Sequence, residues 1–405
     1  MTEPFTEVKL LAQRSDEHPF KLMPELIRIR EERPLTPMIF PDGHEGWLAT
    51  GYDEVRAVLR HPRFSNRYEL QHVPIPGFTE TPPPAQPGDM LGLDAPEHTR
   101  YRKLLTGKFT PRRMRLLTEQ VEAYTAERLD AMEREGPTVD LMEVYARPIP
   151  ALMICELLGV PYDDREHFQR LIDAMVFREG MSMADLSATW AETQQYIRAL
   201  LAAKRKSPTD DVFSELTSSD LDDDELSGLG AFLLGAGMHT TSAVIGMGTF
   251  ALLIHPDQFA ALRDEPELTA GAIEELLRYT GIGPGAVRTA LEDVEIEGVP
   301  IKAGQTVTMS MDAANRDPRR FADRPDELDL RRNASGHLTF IHGVHQCLGQ
   351  HLARVELRTA LPSLVRRFPT LRLAIPVQEV PMRTDGNIYD VTRLPVTWAG
   401  PSRGQ

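Results

Sequence analysis

One segment of this chain is expected to form a long helix that is buried on every side. Residues 221–254 read LDDDELSGLGAFLLGAGMHTTSAVIGMGTFALLI, and beyond Glu225 they contain no aspartate, glutamate, lysine or arginine. A helix that is apolar all round lies in a protein interior, and acidic residues at positions 222–225 suit its N-terminus. At about 1.5 Å per residue the helix would be roughly 45–50 Å long and would cross the whole molecule. We therefore expect the remaining chain to pack around one central helix.

The same segment is rich in glycine, which weakens a helix. Each glycine destabilises a helix by roughly 0.5–1 kcal/mol relative to alanine, so we expect something to approach the backbone closely. Tight packing of other helices is one explanation, and a bound ligand or flat cofactor is the other. Thr240 favours the second, because its hydroxyl can bond back to the carbonyl of Ala236 and open the helix locally. The glycines are Gly228, Gly230, Gly235, Gly237, Gly246 and Gly248.

Composition limits the partners and the compartment. The chain of 405 residues has a net charge of −15 and 2 cysteines. Such an acidic protein is a poor ligand for nucleic acid or an anionic membrane, and two cysteines cannot form a disulfide framework. The N-terminal region shows no apolar export signal and no twin arginine, and no run of about 18 apolar residues suggests a membrane span. We expect a cytoplasmic monomer that binds neither nucleic acid nor membrane.

Periodicity along the chain predicts a mainly α fold with small β-sheets. Residues 97–253 carry apolar side chains at three- and four-residue spacing, as amphipathic helices do. Residues 294–311 alternate apolar and polar side chains around two glycines, which predicts a hairpin. Strands do not alternate with helices, so a doubly wound sheet is not expected. We interpret residues 1–405 as one domain, in which the proline-rich segment 66–89 is a lid over a binding site.

Cys347 lies in a glycine-containing stretch before a predicted helix, HLTFIHGVHQCLGQHLAR (residues 337–354). Three interpretations of this cysteine are open. It could be a buried thiol, a zinc ligand together with neighbouring histidines, or an anionic axial ligand favoured by the amides of a helix N-terminus. The histidines all lie in one short segment, whereas structural zinc sites usually draw ligands from two segments. The other cysteine, Cys155, lies on an apolar helical face and is expected in the core.

Five segments together resemble the bacterial, actinomycete-type class I cytochrome P450 family, and the resemblance extends over nearly the whole chain. The family's cysteine loop, F-G-x-G-x-H-x-C-x-G, is similar to residues 340–349, FIHGVHQCLG. Its central-helix motif, Ala-Gly-x-acid-Thr-Thr, is similar to residues 236–241, AGMHTT. Its E-x-x-R signature resembles residues 275–278, ELLR, and residues 95–105 and 314–318 also resemble family segments. One such match is weak evidence, but five in the family's order are specific.

The resemblance implies the cytochrome P450 fold, with haem b between the long central helix and the cysteine-loop helix. Cys347 would be the axial metal ligand, which is the third interpretation above. The haem propionates would be held by four cationic or donor side chains: His98, Arg102, Arg288 and His345. Further contacts to the haem are implied for Ala236, Gly237, Phe340 and Gly349. A structural ion-pair cluster would join an arginine from residues 329–332, DLRR, to Glu275 and Arg278.

Two positions depart from the family pattern. By resemblance, Thr240 would hydrogen-bond dioxygen and organise a chain of waters, with the preceding acid supplying protons, but here that acid is replaced by His239. Histidine relays protons near neutral pH, so we hypothesise either a histidine-assisted relay or a role for substrate hydroxyls. The first glycine of the cysteine loop is replaced by Ile341, and isoleucine tolerates positive φ very poorly. We expect that the turn differs or that this position is less demanding than the motif suggests.

The resemblance also implies a lipophilic substrate and separate electron donors. We expect substrate contacts from the lid, from residues 175–188 and from a set of apolar or aromatic residues: Phe232, Leu233, Ala236, Ile282, Val287, Ile388 and Tyr389. The chain has no flavin or iron–sulfur segment, so electrons would come from a ferredoxin and its reductase. A basic docking surface for the ferredoxin is expected at Arg112, Arg113, Arg354 and Arg358.

These expectations lead to one function and its alternatives. We expect a haem-thiolate monooxygenase that hydroxylates or epoxidises a polyketide- or macrolide-like secondary metabolite, with O2 as co-substrate. A haem-thiolate enzyme for desaturation, ring closure or oxidative coupling stays open, and the His239 departure favours it. A non-catalytic haem-binding sensor also stays open, although Thr240 and the lid argue against it. A zinc-binding structural protein is the remaining alternative.

Overall fold

The fold is described from a computed structural model. The structure describes residues 14–15, 18–75, 77–108, 111–165, 167, 170–171, 183–283, 285–383 and 388–399. The α-helices in these residues are α1 (Pro24–Glu32), α2 (Tyr52–Arg60), α3 (Glu97–Thr106), α4 (Pro111–Glu135), α5 (Pro148–Leu158), α6 (Met183–Lys206), α7 (Val212–Leu216), α8 (Asp223–Ile254), α9 (Pro256–Asp264), α10 (Thr269–Thr280), α11 (Met311–Ala314) and α12 (Gln350–Arg367).

The β-strands are short. They are β1 (Arg14–Ser15), β2 (His18–Leu22), β3 (Leu35–Ile39), β4 (Glu45–Ala49), β5 (Phe64–Ser65), β6 (Thr138–Asp140), β7 (Ala286–Ala290), β8 (Val294–Ile296), β9 (Val299–Ile301), β10 (Thr306–Met309), β11 (Arg372–Leu373), β12 (Met382–Arg383), β13 (Asp390–Val391) and β14 (Pro395–Thr397). Helix predominates over strand in the part of the chain that the structure describes. This confirms the predicted mainly α fold with small sheets.

The central helix predicted from the uncharged segment is α8. Asp222 Oδ1 accepts a hydrogen bond from the Glu225 amide at 2.8 Å, and Glu225 Oε2 accepts one from the Asp222 amide at 3.0 Å, which makes a capping box. By length and composition α8 could cross a membrane, contrary to the expectation that no segment could. However, 78% of its most apolar window is buried within the protein, which is typical of a core helix.

The glycines of α8 mark places where other parts of the chain meet its backbone. A Cβ atom on Gly228 would lie 1.8 Å from the carbonyl oxygen of Pro87, and one on Gly246 would lie 2.4 Å from the Met142 sulfur. At Gly235, by contrast, a Cβ atom would meet nothing within 4 Å. Close packing therefore explains Gly228 and Gly246, but it does not explain Gly235, which borders open space.

A five-stranded mixed sheet has the strand order β3-β4-β10-β7-β5. Strand β10 pairs in parallel with β4, where Val307 is opposite Trp47, and antiparallel with β7, where Val307 is opposite Arg288. The predicted hairpin is formed by β8 and β9, which pair antiparallel before the chain enters β10. This sheet positions the site because β7 carries the buried side chain of Arg288.

Two hydrophobic clusters pack against α8. The larger joins α8 to α10 and α12, and the second joins it to α5 and α6. Cys155 on α5 belongs to the second cluster and is buried, as predicted. Burial raises the pKa of its thiol to about 12, so Cys155 is a structural thiol and not a reactive one.

Candidate active site

Cys347 lies in a turn that precedes α12. A short 3-10 turn, Gly343–His345, comes before it, and α12 begins at Gln350. The Cys347 amide donates to the Phe340 carbonyl at 2.9 Å, so the loop closes on itself around the cysteine. The predicted position of the cysteine at the start of a helix is confirmed.

Hydrogen-bond donors and positive charges surround the Cys347 sulfur. Burial raises the pKa of this thiol, whereas hydrogen bonds from the amides of Gly349 and Gln350 and the guanidinium groups of Arg102 and Arg354 lower it. Amide donors and cations stabilise a thiolate more than a thiol. The sulfur therefore has amide donors and cations beside it that would favour a metal-bound thiolate, although burial still raises the pKa of the free thiol.

The zinc interpretation has no support among the described residues. No group of three or more His, Cys, Asp or Glu side chains in that part of the chain is placed to hold a metal ion. His337 instead contacts Glu274, and the ring of His345 lies against that of His98. Two of the four histidines near Cys347 therefore have other contacts.

Ile341 keeps a left-handed turn in the cysteine loop. Its φ is +59°, in a region where a β-branched residue is strained. Gly343 has a φ of +80°, and a Cβ atom there would lie 2.5 Å from the carbonyl oxygen of Leu59. Neither expectation for Ile341 holds, because the position demands positive φ and the isoleucine adopts it. Its half-buried side chain packs against the hydrophobic cluster around α2.

The four residues predicted to hold the propionates come together as one group, which we call the cationic cluster: His98, Arg102, Arg288 and His345. The rings of His98 and His345 lie 4.1 Å apart between centroids. Burial, with the charges of Arg288, His98 and Arg102, lowers the pKa of His345 to about 3. Burial also lowers the pKa of Arg288 to about 10. In the part of the chain that the structure describes, no carboxylate forms an ion pair with Arg102 or Arg288.

The cationic cluster fits the two propionates of haem b. His98 Nε2 is buried and has no hydrogen-bond partner among the described residues, and a buried polar nitrogen needs one. Desolvated guanidinium groups that depress the pKa of neighbouring histidines need an anion beside them. Arg102 also lies close enough to Cys347 for their charges to interact. Anion-binding side chains and a thiolate-stabilising turn are therefore neighbours, as haem binding requires.

Asn66, at the start of the lid, and Asp94, after its end, are linked to Arg288 of the cationic cluster, and neither was predicted. Arg288 Nη1 donates to Asn66 Oδ1, and the Asn66 amide donates to Asp94 Oδ1 at 2.8 Å. The hydroxyl of Thr289 donates to the Leu70 carbonyl at 2.8 Å. The first residues of the lid are therefore bonded directly to the strand that carries Arg288. Only Asp94, directly before the family-like segment 95–105, could have been suspected from the sequence.

Ala236 and Thr240 are exposed on one side of α8, although most of this helix is buried. The Thr240 hydroxyl donates to the Ala236 carbonyl at 2.8 Å, which confirms the predicted bond. Because its hydrogen is engaged there, Thr240 Oγ1 is left with lone pairs that can accept from water. Gly237, predicted to face the cofactor, instead packs on Ile154, since a Cβ atom on it would lie 2.9 Å from Ile154 Cδ1.

His239 is buried on α8, whereas the neighbouring Thr240 is exposed. Its Nε2 accepts from Arg383 Nη1 at 2.7 Å and lies 3.9 Å from Asp390 Oδ2. Burial, followed by the charges of Arg383 and Arg147, lowers the pKa of His239 to about 3. The imidazole is therefore neutral at pH 7, and a guanidinium donor occupies the nitrogen that would accept a proton. This arrangement argues against the histidine relay.

A buried carboxyl group on α12 was also missed. Glu356 is 3% exposed and accepts a hydrogen bond from the Thr241 hydroxyl of α8. Burial raises the pKa of Glu356 to about 8, although the bond from Thr241 lowers it. The carboxyl is therefore largely protonated at pH 7. An acidic residue on an otherwise apolar helix face was the sequence feature that could have indicated it.

The predicted ion-pair cluster is present, and its central pair is fully buried. Arg278 Nε donates to Glu275 Oε2 at 2.6 Å, and both side chains are 0% exposed. Arg332 Nε lies 3.2 Å from Glu275 Oε1, so Arg332 is the arginine that completes the cluster. The Glu327 carbonyl also accepts from Arg278 Nη2 at 3.2 Å.

The predicted substrate contacts divide into two groups. Half-buried or exposed side chains, as a cavity wall requires, are found at Phe232, Ala236, Val287 and Ile388. The structure places the others in the buried core, and these are Leu233, Ile282 and Tyr389. The Tyr389 hydroxyl donates to the Pro19 carbonyl at 3.1 Å, so its polar end is engaged within the fold. Most of the predicted segment 175–188 lies outside the described residues.

Carboxylates neutralise the basic surface that the sequence suggested. Acidic partners lie within ion-pair distance of all of its members: Arg112, Arg113, Arg354 and Arg358. Asp210 faces the first two arginines, and Glu274 binds the other two. These arginines therefore do not form the free basic patch that was expected.

Comparison with known proteins gives independent findings. The family model described as Cytochrome P450 matches residues 182–395. Cytochrome P450 105C1 from a Streptomyces species is 46% identical over 378 residues, covering 92% of this chain and 94% of that protein. Cytochrome P450 monooxygenase PikC of Streptomyces venezuelae is 40% identical over 383 residues, covering 93% of this chain and 90% of that protein. The crystal structure of CYP105P1 in complex with filipin I has a TM-score of 0.88 at 39% identity, covering 98% of this chain and 100% of that chain.

Proposed function

Since the chain belongs to the cytochrome P450 family, we propose that it hydroxylates or epoxidises a lipophilic secondary metabolite as a haem-thiolate monooxygenase. The family establishes the cofactor, haem b, and the co-substrate, O2. One observation supports the assignment for this chain more than any other. A cationic cluster of buried and half-buried side chains lies beside a cysteine whose sulfur accepts hydrogen bonds from two backbone amides.

In this proposal Cys347 would hold the haem iron through its thiolate, and the cationic cluster would hold the propionates. A thiolate ligand gives electron density to the iron and favours cleavage of the O–O bond, which is the chemistry that the haem supplies. The amides of Gly349 and Gln350 and the charge of Arg102 oppose the effect of burial on the pKa of Cys347, and they would stabilise a thiolate bound to the iron. The protein therefore contributes the ligand, its ionisation state and the anion-binding groups.

Thr240 is proposed to hold the water that passes protons into the site. Its hydroxyl is oriented by the Ala236 carbonyl, and its oxygen remains able to accept from water. His239 has a different role, because its Nε2 fixes Arg383 of the β12–β13 hairpin. Protons would then reach Thr240 through water or through a hydroxyl of the substrate. This is the second of the two hypotheses that the sequence allowed.

The substrate is proposed to be a largely apolar natural product of the polyketide or macrolide type. The half-buried or exposed residues of the predicted set, Phe232, Ala236, Val287 and Ile388, are all apolar, and apolar walls select apolar ligands. The solved relative in complex with filipin I supports a natural-product ligand. Desaturation, ring closure or oxidative coupling is the second candidate, because the acid that the family places before Thr240 is here a neutral, arginine-bonded histidine.

Electrons are proposed to come from a ferredoxin and its reductase, with docking where the cysteine loop reaches the surface. Val344 of this loop is 70% exposed. Arg60 is exposed at the end of α2, next to Leu59, whose carbonyl lies against Gly343. Arg56 and Arg60 also lie close enough to the loop to lower the pKa of His342, after burial itself. We call Arg56, Arg60 and Val344 the docking surface, since exposed apolar residues with adjacent cations suit a partner of opposite charge.

The first experiment is the absorption difference spectrum of the dithionite-reduced protein with and without carbon monoxide. A strongly red-shifted Soret band is expected for iron bound through a thiolate. Cys347→Ser should abolish this band, whereas the matched variant Cys155→Ser should keep it. A band typical of imidazole ligation in the wild-type protein, or no haem at all, would overturn the proposal.

The second experiment separates the reactions. NADPH consumption is measured with a surrogate ferredoxin and reductase, and the products of macrolide-like compounds are analysed by mass spectrometry. A product that gains one oxygen atom supports hydroxylation or epoxidation, and a product that loses two hydrogen atoms supports desaturation or ring closure. Haem-thiolate protein that never consumes NADPH in a substrate-dependent manner would favour the sensor alternative.

A further inference from the structure

A group of charged side chains outside the haem contacts lies against the cysteine loop. Glu274 on α10 is bonded in a bidentate manner by Arg354 on α12, with Nε 2.8 Å from Oε1 and Nη2 2.9 Å from Oε2. Arg358 Nη2 donates to Oε1 at 3.3 Å, and His337 Nε2 lies 3.2 Å from Oε2. We call these four residues the Glu274 cluster. One carboxylate therefore joins two helices to the segment that leads into the cysteine loop.

Two members of the cluster contact Phe340, the aromatic residue of the loop. Arg354 Cζ lies 4.5 Å from the centroid of the Phe340 ring, which is within cation–π range. The His337 ring lies 5.7 Å from the same ring, at an interplanar angle of 43°. The Phe340 carbonyl in turn accepts the Cys347 amide. A continuous series of contacts therefore runs from Glu274 through Phe340 to Cys347.

The cluster also decides how much positive charge acts on the sulfur. The guanidinium of Arg354 lies close enough to Cys347 for its charge to act on the sulfur. Burial raises the pKa of Glu274, but the bonds from His337 and Arg354 bring it down to about 2, so this carboxylate is ionised at neutral pH. Its negative charge offsets the charge of Arg354. Loss of that carboxylate would leave Arg354 to withdraw more electron density from the sulfur.

We propose that Glu274 is a positioning residue of the haem-thiolate site, which acts through Arg354 and His337 to fix the cysteine loop and to set the charge beside the sulfur. This inference rests on the proposed assignment of Cys347 as the axial ligand. The partners of Glu274 are the other three members of the Glu274 cluster, and it would act through them. It is also separate from the E-x-x-R ion pair, because its neighbour Glu275 bonds to Arg278 and Arg332.

The substitution Glu274→Gln tests the proposal, since it keeps the side-chain size and removes the charge. The reduction potential of the iron should become more positive, because Arg354, no longer held and neutralised by Glu274, would withdraw more electron density from the sulfur. The thiolate-type Soret band of the reduced carbon monoxide complex should disappear at least about fivefold faster, because charged hydrogen bonds to a largely buried group are lost. Glu133→Gln is the matched control, since Glu133 binds another α12 arginine, Arg367, in a bidentate manner at 2.7 Å for both bonds.

A role confined to fold stability predicts a different result. In that case Glu274→Gln would lower the unfolding temperature without moving the potential. The double variant Glu274→Gln with Arg354→Gln separates the two. If Glu274 acts through Arg354, the positive shift of the potential caused by Glu274→Gln should vanish once Arg354 is absent. Fully additive shifts would overturn the proposal.

Two further observations complete the test. Glu274→Asp keeps the charge but is too short for both bonds to Arg354. Its reduction potential should therefore stay close to that of wild type, while its thiolate-type Soret band should disappear faster than that of wild type. Equal rates for Glu274→Asp and wild type would contradict a positioning role. A wild-type protein without a thiolate-type band would remove the proposed function itself, whereas a normal wild-type band with Glu274→Gln indistinguishable from Glu133→Gln would remove only this inference.

Discussion

Ile341 has a backbone conformation that isoleucine adopts least readily, and a pair of substitutions can measure the strain. Both Ile341→Ala and Ile341→Gly remove the packing of the side chain on the cluster around α2. Only glycine accepts the φ of +59° without strain. Ile341→Gly should therefore be more stable than Ile341→Ala by about 1 kcal/mol in urea unfolding. Equal stability of the two variants would show that the turn relaxes to negative φ in solution.

Glu356 makes the stability of the fold depend on pH. The pKa of its carboxyl is about 8 in the folded protein, against an ordinary value of 4.5. Between these values the unfolded chain has released a proton that the folded chain still holds, so this group makes folding less favourable as pH rises. Glu356→Gln stays neutral and can still accept from Thr241. The free energy of unfolding of Glu356→Gln, relative to that of wild type, should therefore rise by at least about 1 kcal/mol from pH 5 to pH 8 in urea unfolding.

The outcome that would contradict this prediction is a pair of parallel stability curves for wild type and Glu356→Gln over the same pH range. Glu133→Gln is a useful control here as well, because its carboxylate is half exposed and its pKa lies below the ordinary value. The effect of Glu133→Gln on the free energy of unfolding should change with pH only at acid pH, where that carboxylate becomes protonated, and not between pH 5 and pH 8.

The sequence identified residue types at this site but not their states. That Thr240 bonds to Ala236 follows from helix geometry alone, because the two are four residues apart. The partner of His239 is Arg383, 144 positions away, and only the folded chain brings them together. The neutral state of His239 results from that contact and from burial. Local patterns therefore predicted local bonds, whereas protonation depended on distant neighbours.

At the scale of elements, α8 combines glycines with opposite surroundings. Gly228→Ala would place a Cβ atom 1.8 Å from the Pro87 carbonyl at the end of the lid, so the lid must shift. We expect it to destabilise the fold by about 1–3 kcal/mol. Gly235→Ala enters open space on the same helix and should stabilise the fold by about 0.5–1 kcal/mol through helix propensity. Urea unfolding of the two variants provides the measurement, and changes of the same sign would contradict this description of the packing.

The existence of α8 could be predicted, but the elements that contact it could not. Its uncharged sequence required burial, and its acidic start indicated an N-terminus, where the structure has a capping box at Asp222 and Glu225. The sequence contained no sign that the lid would end on its backbone at Gly228, or that Asn66 would bond to Arg288, 222 positions away. Such contacts depend on the path of irregular segments, which hydrophobic periodicity does not describe.

At the scale of the whole molecule, the charge distribution separates the docking surface from the rest of the protein. The chain has a net charge of −15, and carboxylates pair with the four arginines first expected to bind the ferredoxin. Arg60 is exposed beside the cysteine loop and forms no ion pair among the described residues. Counting arginines in the sequence could not reveal this difference, because neutralisation depends on carboxylates from other elements.

Arg60→Glu should therefore weaken the supply of electrons without disturbing the haem site. We expect kcat/KM for a surrogate ferredoxin to fall about five- to tenfold at low salt, because a charge at the rim of an interface mainly changes the association rate. The loss should shrink at high ionic strength, where exposed charges are screened.

Arg393→Glu is the control, since it makes the same charge change at an exposed arginine that pairs with Asp140, outside the docking surface. The carbon monoxide spectra of both variants should match wild type. A loss for Arg60→Glu that persists in high salt, or an equal loss for Arg393→Glu, would mean that the ferredoxin does not dock beside the cysteine loop through charge.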